Sequence, residues 1–173
     1  QKMELPYKPA RAFPGRIPVF TFPTKITGGK SINMVPDKCT AEGDVRLMPG
    51  NSDKQVRMWI EDCLFENCPD AVYEIDELAY VPSVEILRCE EIVELLYKNA
   101  VEILDHKPKI AGAGPWNEAW MFVTRDVPMV AGFGPDGDNA QEADEYVELD
   151  SLKKVTKIYV RTIVEYLGIA KQK

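Results

Sequence analysis

Residues 132–154, GFGPDGDNAQEADEYVELDSLKK, have the outline of a metal-site loop: a turn of small residues runs into acidic side chains and then into a helix. Glu142, Asp144 and Glu145 supply carboxylates, a donor type that zinc accepts, but the stretch contains no histidine. Two further places could do chemistry. Asn33 and Arg46 flank a turn and offer an amide that can donate to a polarised carbonyl oxygen and a planar guanidinium that grips a carboxylate at two points. The bland alternative for Arg46 is an ion pair with Asp44 or Glu42 on the outer face of a strand. GAGPWNEAW, residues 112–120, joins small residues that allow close backbone approach to the start of a helix, whose free amides attract a carboxylate. Asn117 and Glu118 are its candidate substrate-binding side chains, and Trp120 is either an aromatic wall or core packing.

Other reactive residues read as structural. His106 is the one histidine, and it follows a helix end where a solvated base suits the negative terminus. Cys89, Glu90 and Glu91 fall on an amphipathic helix as a solvated acidic face. Cys39, Cys63, Cys68 and Cys89 lack the spacing of a zinc knuckle. Cys39, Cys63 and Cys89 fall on apolar periods and are expected to be buried free thiols of a reducing cytoplasm. With 28 acidic against 21 basic residues, the net charge of -7 leaves no basic face for nucleic acid. The longest apolar runs are far too short to span a membrane, and no signal peptide is visible.

The elements that must position these groups fall into two halves, residues 1–81 and 82–173. Pro6, Pro9, Pro14, Pro18 and Pro23 predict an extended arm or edge strand at the start. VFTFPTKITGG reads as a strand and KSINMVPDK as a turn. From Cys39 the residues Cys39, Ala41, Gly43, Val45 and Leu47 alternate with polar neighbours, which predicts a strand with one buried face. Ser52 or Asn51 can cap a helix whose apolar stripe is Val56, Trp59, Ile60, Cys63 and Leu64. AVYEIDELAYV supplies a further strand with Ala71, Tyr73 and Ile75 on one face. Strand, strand, helix, strand is part of a ferredoxin-like sandwich that lacks its opening strand and helix.

After YVPSVE, a helix is expected over residues 86–105, with Ile86, Cys89, Ile92, Val93, Leu96, Ala100, Ile103 and Leu104 inward. A short strand at KIAGAG, a helix over 116–124, a buried strand at VPMVAGF and a last helix follow. Asp150 is expected to cap that helix, Gly168 to end it, and Leu152, Val155, Tyr159, Ile163 and Leu167 to face inward. The fold class is therefore mixed: an α+β half followed by an α/β half. Neither half has enough strands to stand alone.

Four stretches, in order, resemble one family. ITGGKSINMVPDKCTAEGDVRLMP is similar to the GG…N-x-(V/I)-P…D-x-R-x-x-P segment of the lid, or dimerisation, domain of the aminoacylase, acetylornithine deacetylase and succinyl-diaminopimelate desuccinylase family. These are co-catalytic zinc amidohydrolases and peptidases. GPWNEAWMF resembles the family's turn and helix, with Pro128 at the spacing of its strand proline. GFGP and DEYVELDSL resemble its loop and last helix. The resemblance covers residues 17–168 and implies a partial lid domain over residues 1–81, followed by the C-terminal α/β part of a catalytic domain over residues 82–173. Gln1, not methionine, opens the chain, in keeping with a fragment or cleaved product.

The resemblance further implies that Asn33 and Arg46 reach a substrate carbonyl and carboxylate across a homodimer, and that Asn117 and Glu118 border the pocket. Glu118 stands where the family usually has aspartate, and Trp120 where many members have arginine, which implies a bulkier or more apolar acyl group. At the position of a zinc-binding histidine stands Gln141, whose neutral amide is a poor substitute. The remaining ligands and the general base belong to a front part that this sequence does not contain. The implied parent enzyme hydrolyses an N-acyl amino acid or small peptide amide in the cytoplasm with zinc or cobalt. This chain alone is expected to hold no metal and to be inactive. The alternative is a non-catalytic dimerisation or binding module derived from the same family.

Overall fold

A computed structural model describes residues 5–114 and 116–168. The chain forms two compact units, residues 1–84 and 85–173.

In the first unit, strand β1 (Val19–Gly28) pairs antiparallel with β2 (Cys39–Arg46), from Val19 opposite Arg46 to Gly28 opposite Cys39. The register shifts between Thr21 and Lys25, around Pro23, which has no N–H to give to a ladder. There the Thr24 hydroxyl donates to the Glu42 carbonyl at 3.1 Å and Lys25 pairs with Glu42 at 2.7 Å. Helix α1 (Asp53–Asn67) starts in a capping box: the Gln55 N–H donates to Ser52 Oγ at 3.3 Å, and the Ser52 N–H to Gln55 Oε1 at 3.0 Å. Ser52 is thus the cap. Asn51 is buried and has another task, donating to the Pro6 carbonyl at 2.8 Å and tying down the proline-rich arm, where Leu5 and Ala10 are buried. The stripe Val56, Trp59, Ile60, Cys63 and Leu64 is half-buried, as the helical period requires. Trp59 stacks on Phe20 of β1 with centroids 4.1 Å apart.

Several expectations for this unit need correcting. Residues 71–81 form no strand. Arg57 Nη2 takes the Ile75 carbonyl at 2.6 Å, so the backbone there is tied to α1 and not to a ladder. The sheet keeps two strands, and the ferredoxin-like sandwich is not completed. The face expected to be buried on β2 is largely open: Cys39, Ala41 and Gly43 are exposed and Val45 and Leu47 only half-buried.

In the second unit, helix α2 (Glu91–Leu104) packs on α4 (Leu149–Leu167). The core is Leu96, Ala100 and Ile158, flanked by Ile103, Leu104, Val130 and Phe133. Helix α2 begins five residues later than residue 86 because Glu90 has an extended backbone (ψ 134°) and closes a turn onto the Leu87 carbonyl. It ends at Asp105 in the left-handed region, where His106 Nδ1 lies 3.1 Å from the Leu104 carbonyl oxygen. Helix α3 (Ala119–Val123) is one short turn of the longer helix expected, and a hairpin of β3 (Gly137–Asp138) and β4 (Tyr146–Val147) precedes α4. Residues 109–114 and 127–133 form no strands. Such apolar runs need a neighbouring strand before they become one, and none is present among the described residues.

Helix α4 runs almost as expected but is rotated. Its buried residues are Ser151, Val155, Ile158 and Thr162, while Leu152, Tyr159, Ile163 and Leu167 are exposed. Its N-cap is Glu148 without a side-chain bond; Asp150 lies inside the first turn and pairs with Lys153 at 3.1 Å. Gly168, at φ 75°, ends it as expected. The cysteines also depart from expectation: all four are free, but Cys39, Cys68 and Cys89 are exposed and only Cys63 is half-buried. Burial pushes the Cys63 thiol up from its ordinary value.

The chain presents 14148 Å² of accessible surface at 19.5 kDa. Two separate compact globules of half that mass would together present about 10000 Å². Large apolar side chains lie exposed in both units, Ile26, Ile32 and Val35 in the first and Trp116, Ile163 and Leu167 in the second. Among the described residues, no helix is long and apolar enough to cross a membrane.

Candidate functional site

The loop with metal-site character is a hairpin closed by two ladder pairs, Gly137 with Val147 and Asp138 with Tyr146. A side chain at 137 would run into the Tyr146 carbonyl, so glycine is needed for the strands to meet there. Asn139, Gln141 and Asp144 all lie in the left-handed region, at φ 58°, 65° and 61°. The Gln141 N–H donates to Glu145 Oε2 at 3.3 Å and the Glu142 N–H to the Asn139 carbonyl at 2.9 Å. Glu145 thus spends its carboxylate on the loop backbone, while Gln141 is exposed.

The hairpin is joined to α4 through Asp136. The Asp136 N–H donates to Ser151 Oγ at 2.9 Å, that hydroxyl donates to Asp136 Oδ2 at 3.1 Å, and the Glu148 N–H reaches the Asp136 carbonyl at 2.8 Å. About two turns further on, the Tyr159 hydroxyl donates to the Phe133 carbonyl and its ring meets Phe133 edge-on. Desolvation raises the Tyr159 phenol above its ordinary value, which keeps the donor protonated. Gly132, at φ 75°, lies so close to Ala113 that a Cβ would come within 2.9 Å of the alanine's own. The sequence did not single out Asp136 or Ser151, and it marked Tyr159 only as an inward-facing helix residue; a serine in a first helical turn is ordinarily just solvated, and nothing in the spacing marks it.

The turn at 112–118 lies in the same unit. Asn117 Oδ1 accepts the Ala119 N–H at 3.0 Å, an Asx turn that starts α3, and Glu118 is exposed at its cap position without a side-chain cap bond. Trp120 is half-buried, and its indole N–H is buried without a partner among the described residues. Pro115 of this motif lies outside the described residues.

Asn33 and Arg46 belong to the first unit and lie apart. Asn33 is in the exposed turn beyond Gly28 and Cys39, where its Oδ1 accepts the Ser31 hydroxyl at 2.5 Å. Arg46 is at the other end of the ladder, roughly 20 Å away along the strands by their rise per residue. Its Nε pairs with Asp44 Oδ1 at 2.7 Å, with both side chains more than half exposed. The pairing with Asp44 is therefore formed; an exposed pair of this kind holds the guanidinium only weakly and leaves it free to exchange partners.

Residues 17–165 match the family described as Peptidase family M20/M25/M40. The chain belongs to that family. It is similar to the succinyl-diaminopimelate desuccinylase of Bradyrhizobium diazoefficiens, with 24% identity over 144 residues, 82% of this chain and 36% of that protein. It is also similar to proteins of the same name from Cereibacter sphaeroides, at 26% identity over 82% of this chain and 37% of theirs, and Acidiphilium cryptum, at 26% over 79% and 36%. The chain thus spans little more than a third of the length of these relatives. No solved structure matches it.

Members of the peptidase family are metal-dependent amidohydrolases, so the residues present must be tested against a metal. Among the described residues, no three histidine, cysteine, aspartate or glutamate side chains stand close enough together to hold one. In the loop, Glu145 Oε2 accepts the Gln141 backbone N–H, and the Gln141 side chain has only a neutral amide to offer. The donors among the described residues do not make up a zinc site.

Proposed function

We propose that this chain is the lid and C-terminal part of a metal-dependent amidohydrolase that cleaves an N-acyl amino acid or a small peptide amide. The observation that carries the reading is the loop at 137–147 joined to the first turn of α4, within the stretch that matches the peptidase family. The boundary between the two parts near residue 81, self-association through the hairpin of β1 and β2, and a cytoplasmic setting belong to the same reading. Self-association is supported by the exposed Phe22, Ile26, Ile32 and Val35 on and beside that hairpin. Metal, zinc or cobalt, and a general base would come from residues other than those described. The groups this chain would contribute are Asn33 toward a polarised carbonyl, Arg46 toward a carboxylate, and the Asn117–Glu118 turn beside Trp120 as a wall for the acyl group.

The test is hydrolysis of N-acyl amino acids by the full-length product of the gene that carries this sequence, with added zinc. Turnover supports the reading, and Arg46→Ala then lowers kcat/KM by an amount worth about 1.5 to 3 kcal/mol, as for a hydrogen bond to a charged group. Unchanged kinetics would remove Arg46 from the site. A second reading, a non-catalytic module of the family, is favoured by Gln141 alone; absence of turnover by the full-length, zinc-loaded protein on any N-acyl amino acid or dipeptide would select it.

A further inference from the structure

We infer that Ser151 is a positioning residue for the loop that carries Gln141, and that α4, not the hairpin's own ladder, sets the conformation of that loop. Three non-glycine residues of the loop, Asn139, Gln141 and Asp144, are held in the left-handed region; asparagine and aspartate enter it at modest cost, but Gln141 resists it. Something must offset that resistance. The hairpin has two ladder pairs, too few for a hairpin to hold its shape in water. Inside the loop there are few ties, the Gln141 N–H to Glu145 and the Glu142 N–H to Asn139 among them, and both are exposed.

At its open end the hairpin is held quite differently. The N–H, the carbonyl and the carboxylate of Asp136 are all engaged by residues 148–151, and Ser151 serves two of the three with one hydroxyl, donating to the carboxylate and accepting from the N–H. Ser151 is itself buried, and along the same face Val155, one turn further, is buried and Ile158, two turns further, sits in the core with Leu96 and Ala100 of α2. The hydroxyl is therefore fixed by packing, and it fixes Asp136, immediately before the first ladder residue, Gly137. A buried side chain that satisfies both a backbone donor and a carboxylate is costly to lose because its partners are left unpaired.

The importance of this clamp for catalysis rests on the reading that the loop belongs to the metal site; the clamp itself does not. Amide hydrogen exchange of the full-length protein reads it directly. Ser151→Ala is expected to speed exchange of residues 137–147 on the order of tenfold, the loss of one net hydrogen bond, with residues 155–165 of α4 unchanged. Ser151→Thr, which keeps the hydroxyl, restores protection. In Ser151→Ala kcat falls with little change in KM, because a displaced loop spoils the reacting geometry more than binding, and Ser151→Thr recovers it. Unchanged exchange in Ser151→Ala, or failure of threonine to restore it, overturns the inference. Should Ser151→Ala loosen α4 as well, Asp136→Ala, at an exposed position, removes the carboxylate side of the clamp without touching the core; unchanged exchange of the loop would then be the contrary result. Faster exchange with unchanged kcat would leave the clamp standing and overturn the loop's assignment to the site.

Discussion

The two units hold themselves together by different means. In the second, α2 and α4 bury Leu96, Ala100 and Ile158 and, between them, the polar Asn99, which donates to Thr162 Oγ1 at 3.2 Å and to Glu165 Oε2 at 3.4 Å. Around that pair Lys98 meets Glu165 at 3.2 Å and Arg161 bridges Glu102 and Glu165 at 2.5 and 3.0 Å. In the first, the Trp59 ring of a half-buried helix stacks on Phe20 of the two-stranded sheet, and Ile26, Cys39, Ala41 and Gly43 of that sheet lie exposed. The comparison teaches that the loop proposed for the site is attached to the better-buried unit, whereas the candidate substrate residues Asn33 and Arg46 sit on a scaffold that fixes them less firmly.

The largest expected contrast is in the cores. Ile158→Ala, at a position with no exposure, should cost about 2 to 4 kcal/mol and collapse protection of the α2 and α4 amides. Ile26→Ala, at 63% exposure on β1, should change stability by about 0.5 kcal/mol or less. Equal effects in urea titrations followed by amide exchange would erase the distinction. Smaller is the cap of α1: Ser52→Ala removes one half of the capping box and should cost about 1 kcal/mol, seen as faster exchange in residues 53–57 and not in α4.

The most graded effect is that of pH. The Arg161 guanidinium, with help from Lys98 and Asn99, holds the Glu165 carboxyl below the usual carboxylate range against the opposing effect of desolvation. A group whose folded value is depressed stabilises above its unfolded value and loses that contribution as pH falls through the folded one. The α2 and α4 pair should therefore weaken on acidification below about pH 4.5, while Glu165→Gln flattens that part of the dependence. Identical profiles for both proteins in urea midpoints against pH would count against the network.

What the residues alone made legible follows from how local each signal is. The α1 stripe, the Gly168 stop and the β1 and β2 pairing needed only the helical or strand period and a turn residue. Of the inner face expected on α4 only Val155 followed, because the helix has further apolar residues on both sides of it: Leu152, Tyr159 and Ile163 on one, Ile158 on the other. Period cannot choose between them, and the choice is made by Asn99 and Leu96 of α2 across the pair. Strands at 71–81 and 127–133 were expected from apolar content, but a strand exists only with a partner. For the site, the amide in place of an imidazole at 141 was visible in the motif. The bond between Asp136 and Ser151, fifteen residues apart, was not, since it depends on the loop folding back on the helix.

A zinc titration of this 173-residue chain by calorimetry tests most directly the claim that the loop around Gln141 lacks the donors for a metal. The account predicts no saturable, stoichiometric heat, because the only donor at 141 is an amide and Glu145 is engaged by the loop backbone. A tight site of one or two zinc ions per chain would contradict it.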